Sequence, residues 1–178
     1  MIFANGSLVF VGQDWNVQAA PSWRGPWRTR GRVVWHGDGG AGCQQRAGKW
    51  VCGGWEDPFI WLDTRRHVWK MVAHVWPSWL PDEPACDHDY SKREAGFAWS
   101  HDTVNWHRSR VPPFDNRVTH VDGRVSVLST RERPKLVFDD DGRPTALFSG
   151  VSANPPPWGC KIKPGVDSTY TLYVPILP

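Results

Sequence analysis

No stretch of this chain is hydrophobic for long, cysteine is scarce, and neither charge sign is concentrated. Each lack excludes a class of protein. The longest apolar run near the start, Leu8-Val9-Phe10-Val11, is too short for a signal-peptide core. Nothing reaches the roughly 18 apolar residues of a membrane-spanning helix, so no membrane association is expected. Twenty-one Lys and Arg stand against 18 Asp and Glu, a net charge of +3. They are scattered, so the basic stripe of a nucleic-acid surface is missing and no nucleic-acid partner is expected. Cys43, Cys52, Cys86 and Cys160 lack the paired spacing of a zinc site. Cys43 and Cys52 would close a small loop in an oxidising compartment, and Asn5-Gly6-Ser7 fits the glycosylation pattern. Both matter only for a secreted protein, and the compartment stays open.

What is abundant is tryptophan, 13 of 178 residues, with 17 Gly and 16 Pro. The Gly and Pro cut the chain into short segments and disfavour a helical bundle. The length suits one domain, residues 1–178. Trp serves both for filling space between sheets and for stacking on flat ligands. Most are expected in the core, and Trp55, Trp61, Trp76, Trp79 and Trp99 are the candidates for a ligand face.

The chain repeats itself. Glu56-Asp57-Pro58-Phe59-Ile60-Trp61-Leu62-Asp63 lies without a gap on Glu132-Arg133-Pro134-Lys135-Leu136-Val137-Phe138-Asp139, at an offset of 76. The offset persists: Met71-Val72 falls on Leu147-Phe148 and Val75 on Val151. Each copy reads as an acid and Pro, a short apolar strand, an acidic turn and a second apolar strand. The turns are Asp63-Thr64-Arg65-Arg66 and Asp139-Asp140-Asp141-Gly142, the latter with the Asp-Gly signal of a tight hairpin. A partial third copy, Asn5-Gly6 followed by Ser7 to Val11, would have its acid-Pro element upstream of Met1. A second phrase recurs as well. Ala20 to Trp27 and Ala98 to Trp106 each read as a strand, a polar turn and a returning Trp.

Strand pairs at this spacing predict an all-β fold of antiparallel four-stranded sheets arranged as blades of a β-propeller. At about 40–50 residues per blade, the chain is too short to close five. The expectation is a portion of about three blades, the first incomplete, with open strand edges that invite self-association. A β-sandwich is the alternative.

In a propeller, equivalent residues of different blades converge on one axial cavity. Asp57 and Glu132 are thereby expected to share a pocket and to act as carboxylates on a glycosidic bond. Acids that merely cap strands are the plainer alternative. On an extended strand, Arg131 and Arg133 would point away from the side carrying Glu132. His74 ends the second strand of its copy, where Gly150 stands in the other. It lines the pocket or is a satisfied, partly buried histidine. Cys86-Asp87-His88-Asp89 reads as a solvated turn, and Gly37 to Gly42 lacks the Lys-Ser/Thr of a phosphate loop.

The phrases Trp55-Glu56-Asp57-Pro58-Phe59-Ile60, Ala98-Trp99-Ser100-His101-Asp102 and Arg131-Glu132-Arg133-Pro134 resemble the five-bladed β-propeller glycoside hydrolases. The likeness is greatest to family 43-like proteins and weaker to the levansucrase and invertase families. It implies a carbohydrate ligand, with Asp57 as the middle acid that orients substrate and Glu132 as proton donor. Trp55, His74, Trp99 and Arg133 would contact substrate. The third acid would lie upstream of Met1, so the chain is expected to bind rather than turn over. Ser168 to Pro175 resembles the closing strand of these enzymes. Phe97 stands where related enzymes carry a His that supports a central metal. No metal or other cofactor is therefore expected. The competing reading is a non-catalytic propeller that binds glycans or proteins through its face.

Overall fold

The computed structural model describes residues 7–37, 43–46, 49–52, 54–75, 95–152 and 169–176, with backbone alone for 43–46 and 49–52. The described residues form strands and turns, with no helix among them. None therefore forms a helix long and apolar enough to cross a membrane.

Strands β1 (Leu8–Val11), β2 (Asn16–Ala20) and β3 (Arg28–Arg32) form a three-stranded antiparallel sheet. At Val33 the chain leaves it, and β4 (Val34–His36) joins the next sheet. β5 (Cys43–Arg46) and β6 (Lys49–Cys52) pair as a separate hairpin whose register sets Cys43 opposite Cys52. β7 (Trp55–Asp63), β8 (Val68–Val75), β9 (Ala95–Ser100) and β10 (Asn105–Arg108) form an antiparallel meander, and β4 adds to β10 in parallel. A small hairpin of β11 (Arg117–Thr119) and β12 (Val125–Val127) follows. The last sheet is β13 (Thr130–Phe138), β14 (Pro144–Ser152) and β15 (Thr169–Pro175), in that order.

The all-β, mainly antiparallel architecture agrees with the sequence. Strand number does not: the sheets hold three, five, two, three and two strands, and none of those described has four. The difference in the largest sheet has a simple cause. The meander itself has four strands, and β4 extends it by accepting the unpaired edge of β10.

The five-stranded sheet is buried on both faces. On one, Trp55, Ile60, Trp69, Met71, Ala73 and Val75 pack against Val9, Val11, Val17 and Val33 of the first sheet and its exit. On the other, Trp61, Val72 and Ala95 pack with Phe59 and Phe97 against Phe114, Leu136 and Phe138. Double burial explains why Val68-Trp69-Lys70-Met71-Val72-Ala73-His74-Val75 lacks the alternation of a half-exposed strand. As expected, several Trp fill the space between sheets: Trp55, Trp61, Trp69 and Trp106 are all buried.

The repeat is reproduced in backbone detail. Trp55 pairs with Val75, Glu56 with His74, Phe59 with Val72, Ile60 with Met71 and Trp61 with Lys70. Adding 76 to each number gives Arg131 with Val151, Glu132 with Gly150, Lys135 with Phe148, Leu136 with Leu147 and Val137 with Ala146, all observed. Both strands carry the same bulge, between Glu56 and Phe59 and between Glu132 and Lys135. In each the bulge contains a left-handed residue, Asp57 at φ 51° and Arg133 at φ 54°. The proline that follows has no N–H for the ladder, so a break in pairing is cheapest there.

The recurring strand–turn–Trp phrase forms a hairpin in both places, β2–β3 and β9–β10. In the second, Asp102 accepts backbone hydrogen bonds from Val104 (2.8 Å) and Asn105 (2.7 Å). The Asn105 side-chain amide also donates to it at 2.7 Å, and the Ser100 hydroxyl at 3.1 Å. Trp106, fully buried, donates its indole N–H to the Thr103 carbonyl at 2.7 Å. Trp27, in the first hairpin, stays 42% exposed just before β3, so the two tryptophans are not equivalent.

Partial burial pushes the Asp102 carboxyl up, but the hydrogen bonds from Asn105, Val104 and Ser100 outweigh it and hold the group well below the usual range. A folded value below the unfolded one stabilises the protein above the unfolded pKa of about 3.9 and is lost as pH falls through the folded value. Denaturation curves of wild type and Asp102→Ala should therefore differ by about 0.5–1.5 kcal/mol at pH 7, a modest value because the carboxylate is exposed to solvent. The gap should narrow below about pH 4. A gap that is independent of pH would remove the electrostatic account of this turn.

Gly96 faces Trp55 so closely that an added Cβ would lie 2.6 Å from the indole ring. Trp55 cannot retreat, since it is packed against Trp35 at a ring separation of 4.8 Å. Gly96→Ala is expected to cost about 1–3 kcal/mol by overpacking, read as a lower denaturation midpoint with unchanged slope.

Candidate functional site

The bulge on β7 is what assembles a site. On a regular strand Glu56 and Asp57 would point to opposite faces. With Asp57 in the left-handed region, both carboxylates come within 4.8 Å of the imidazole of His74, which pairs with Glu56 on β8. One ligand-type atom from each of Glu56, Asp57 and His74 lies within 4.8 Å of the other two. Glu56 is exposed, Asp57 half-buried and His74 buried.

Two further elements close on Asp57. Gln13, in the turn between β1 and β2, donates its amide N–H to Asp57 Oδ1 at 2.6 Å. Arg133 Nε, on β13, lies 3.7 Å from Asp57 Oδ2. Asp57 and Arg133 occupy the same place in the two copies of the repeat, so equivalent positions of adjacent sheets meet with opposite charges. Lys135 stands over the ring of Phe59, its Nζ 5.6 Å from the centroid. Burial lowers its pKa; Asp57 raises it and Arg133 lowers it further. Three sheets therefore contribute polar groups to one place: Gln13 from the first, Glu56, Asp57 and His74 from the second, Arg133 and Lys135 from the third.

The acid-Pro segments of β7 and β13 do approach each other, and Glu132 is the chain neighbour of the arginine that meets Asp57. The condition for alternation around Glu132, an extended strand, is not met. β13 is bulged and Arg133 is left-handed, which turns its guanidinium toward Asp57. Arg131 is occupied elsewhere. Its guanidinium lies 4.2 Å from the Phe114 ring centroid, and Nη1 donates to the Asp115 carbonyl at 3.0 Å.

Of the residues expected to touch substrate, His74 and Arg133 are in this cluster. Trp55 is not presented to a ligand: it is 4% exposed, inside the core. Trp99 is distant for a reason of register. The row Glu56–His74–Ala95 and the row Trp61–Lys70–Trp99–His107 are separated by four residues on β9, or about 13 Å along the strand. Trp99 stacks instead on His107, at a centroid distance of 4.3 Å, and meets His101 edge-on. Trp61 is buried between sheets. Trp76, Trp79 and the Cys86-Asp87-His88-Asp89 segment lie outside the described residues.

Gln13, Glu56 and Lys135 are additions to the sequence reading. Glu56 was visible in principle, since the gapless alignment lays it on Glu132. Gln13 carries no motif, and Lys135 falls on Phe59 in the repeat, so only packing reveals them. Comparison with protein-family models and with curated proteins finds no match for this chain.

Lys135 offers a direct test of the cluster. Its ammonium should titrate below an ordinary lysine in an NMR pH series recorded in metal-free buffer. Asp57→Asn should lower that value further, by removing the anion that favours the charged form, and Arg133→Gln should raise it. Identical titration in all three proteins would show that these side chains do not sense one another.

Proposed function

We propose that this chain is part of a β-propeller of the glycoside-hydrolase type and that it binds carbohydrate at the Asp57 cluster. The observation that carries the reading is the meeting of the two repeat copies at their bulges, Asp57 of one against Arg133 of the other. Convergence of equivalent strand ends is the property that gives propeller enzymes a shared axial pocket. The stacking of three successive sheets, each packed face to face on the next, supports the same reading.

In this proposal Asp57 and Glu56 accept hydrogen bonds from sugar hydroxyls, Arg133 and Lys135 donate to ring and hydroxyl oxygens, and Glu132 stands in the proton donor's place. Hydrolysis of a glycosidic bond takes a second carboxylate as base or nucleophile opposite that donor. The activity proposed for the residues described is binding. The edges of β1 and β13, which no strand among the described residues pairs, support self-association as part of the same proposal.

The test is calorimetric titration with arabinosyl, xylosyl and galactosyl oligosaccharides, alongside hydrolysis assays on aryl glycosides. Asp57→Asn and Glu132→Gln should each weaken binding about tenfold or more, the value of a hydrogen bond to a charged group. Unchanged binding in both variants would sink the proposal, as would strong hydrolysis that survives Glu132→Gln. A second reading, binding through the propeller face, is favoured by Trp23, which is 71% exposed with the Arg24 guanidinium 4.7 Å from its ring centroid. It requires Trp23→Ala to abolish binding while Asp57→Asn spares it.

A further inference from the structure

We infer that Glu56, Asp57 and His74 form a divalent-cation site. This goes beyond the carbohydrate reading and does not depend on it. One imidazole and two carboxylates, each with an atom within 4.8 Å of the others, could close on a single ion with modest side-chain adjustment. Metal–ligand distances near 2.0–2.2 Å place ligand atoms roughly 3–4 Å apart.

The repeat supplies an internal control. The second copy has the same bulge, the same left-handed residue and the same pairing of the acid with the adjacent strand. In the places of Glu56, Asp57 and His74 it carries Glu132, Arg133 and Gly150. The backbone therefore demands neither a second carboxylate nor an imidazole at these positions. His74 is nevertheless 2% exposed, where the other copy has no side chain at all. One acid, Asp57, and one histidine have been added to a frame that stands without them, and they converge with Glu56.

The donor set narrows the ion. Calcium and magnesium prefer all-oxygen shells, whereas imidazole with carboxylates suits manganese and zinc. Three protein ligands leave positions open for water or a ligand hydroxyl. Arg133 is the protein's own competitor, since it already offers Asp57 a positive charge at 3.7 Å. Its side chain is 75% exposed, so it has solvent to move into when an ion binds. The ligands lie on neighbouring strands with 16 residues between Asp57 and His74, which is why no motif in the sequence announces them.

The experiment is calorimetric titration of the whole chain with Mn2+ and with Zn2+ under reducing conditions, with circular dichroism to confirm the fold of each variant. Wild type should bind at least one of the two ions. Glu56→Gln, at an exposed position, and His74→Ala should each weaken that binding by at least about tenfold, the lower end of what even outer-shell changes cost a metal site. Arg133→Gln should tighten it, an effect a purely structural cluster would not produce. If His74→Ala fails to fold, Glu56→Gln and Arg133→Gln decide the matter. Wild type that takes neither ion, or Glu56→Gln that binds both as wild type does, overturns the site. Either result leaves the sugar-binding test untouched.

Discussion

A sheet with apolar side chains on both faces cannot be stable in water until both faces are covered, and the β7–β10 meander is such a sheet. Met71 and Ala73 are fully buried toward one neighbour, Val72 and Trp61 buried toward the other. At about 1.5–3 kcal/mol for each fully buried large aliphatic side chain, losing either flank would expose more than a small domain's margin of stability. The first and last sheets therefore cover opposite faces of the middle one, each in its own apolar cluster. Their positions are set by how the middle sheet packs, and the polar cluster at the strand ends inherits its geometry from that packing.

Against this apolar frame the bulges are the costly feature. Left-handed backbone at a residue other than Gly costs of the order of 1–3 kcal/mol. Asp tolerates it better than most, Arg does not. Five described residues other than Gly bear that cost, and two of them, Asp57 and Arg133, meet. The bulge breaks the alternation that would send Glu56 and Asp57 to opposite faces, so strain is converted into convergence of charged groups. A regular strand with the same residues would divide these groups between the two interfaces.

Polar order at two of the hairpin turns is local. The Asp102 turn satisfies its own backbone through Ser100, Val104 and Asn105. The β7–β8 turn does so through Asp63, which accepts from the backbone of Arg65 and Arg66 and holds Lys70 at 2.7 Å. Such turns close strand pairs without help from distant residues, which is why the hairpins were visible in the amino-acid order. Burial of Trp106 follows from the same turn, because its indole N–H finds the Thr103 carbonyl and so enters the core with its one donor satisfied.

The amino-acid order alone determined the repeat, its paired strands and the hairpins of the strand–turn–Trp phrase, because these depend on neighbours a few residues away and on a pattern copied at a constant offset; β4 and the β5–β6 and β11–β12 hairpins carry no such pattern. It also determined that His74 and Arg133 fall near the acids, since both lie in the repeated phrase. It could not settle that Trp55 is core or that Trp99 lies four residues along the strand from the cluster, because aromatic residues serve packing and binding alike and only three-dimensional register separates the two. Alternation could not foresee the contact of Arg133 with Asp57, because it presumes an unbulged strand. Gln13 and Lys135 joined the cluster only when separate sheets were stacked. Contacts between sheets are set by the shapes of the buried faces, and no local pattern encodes which polar residues will be left facing one another at their rims.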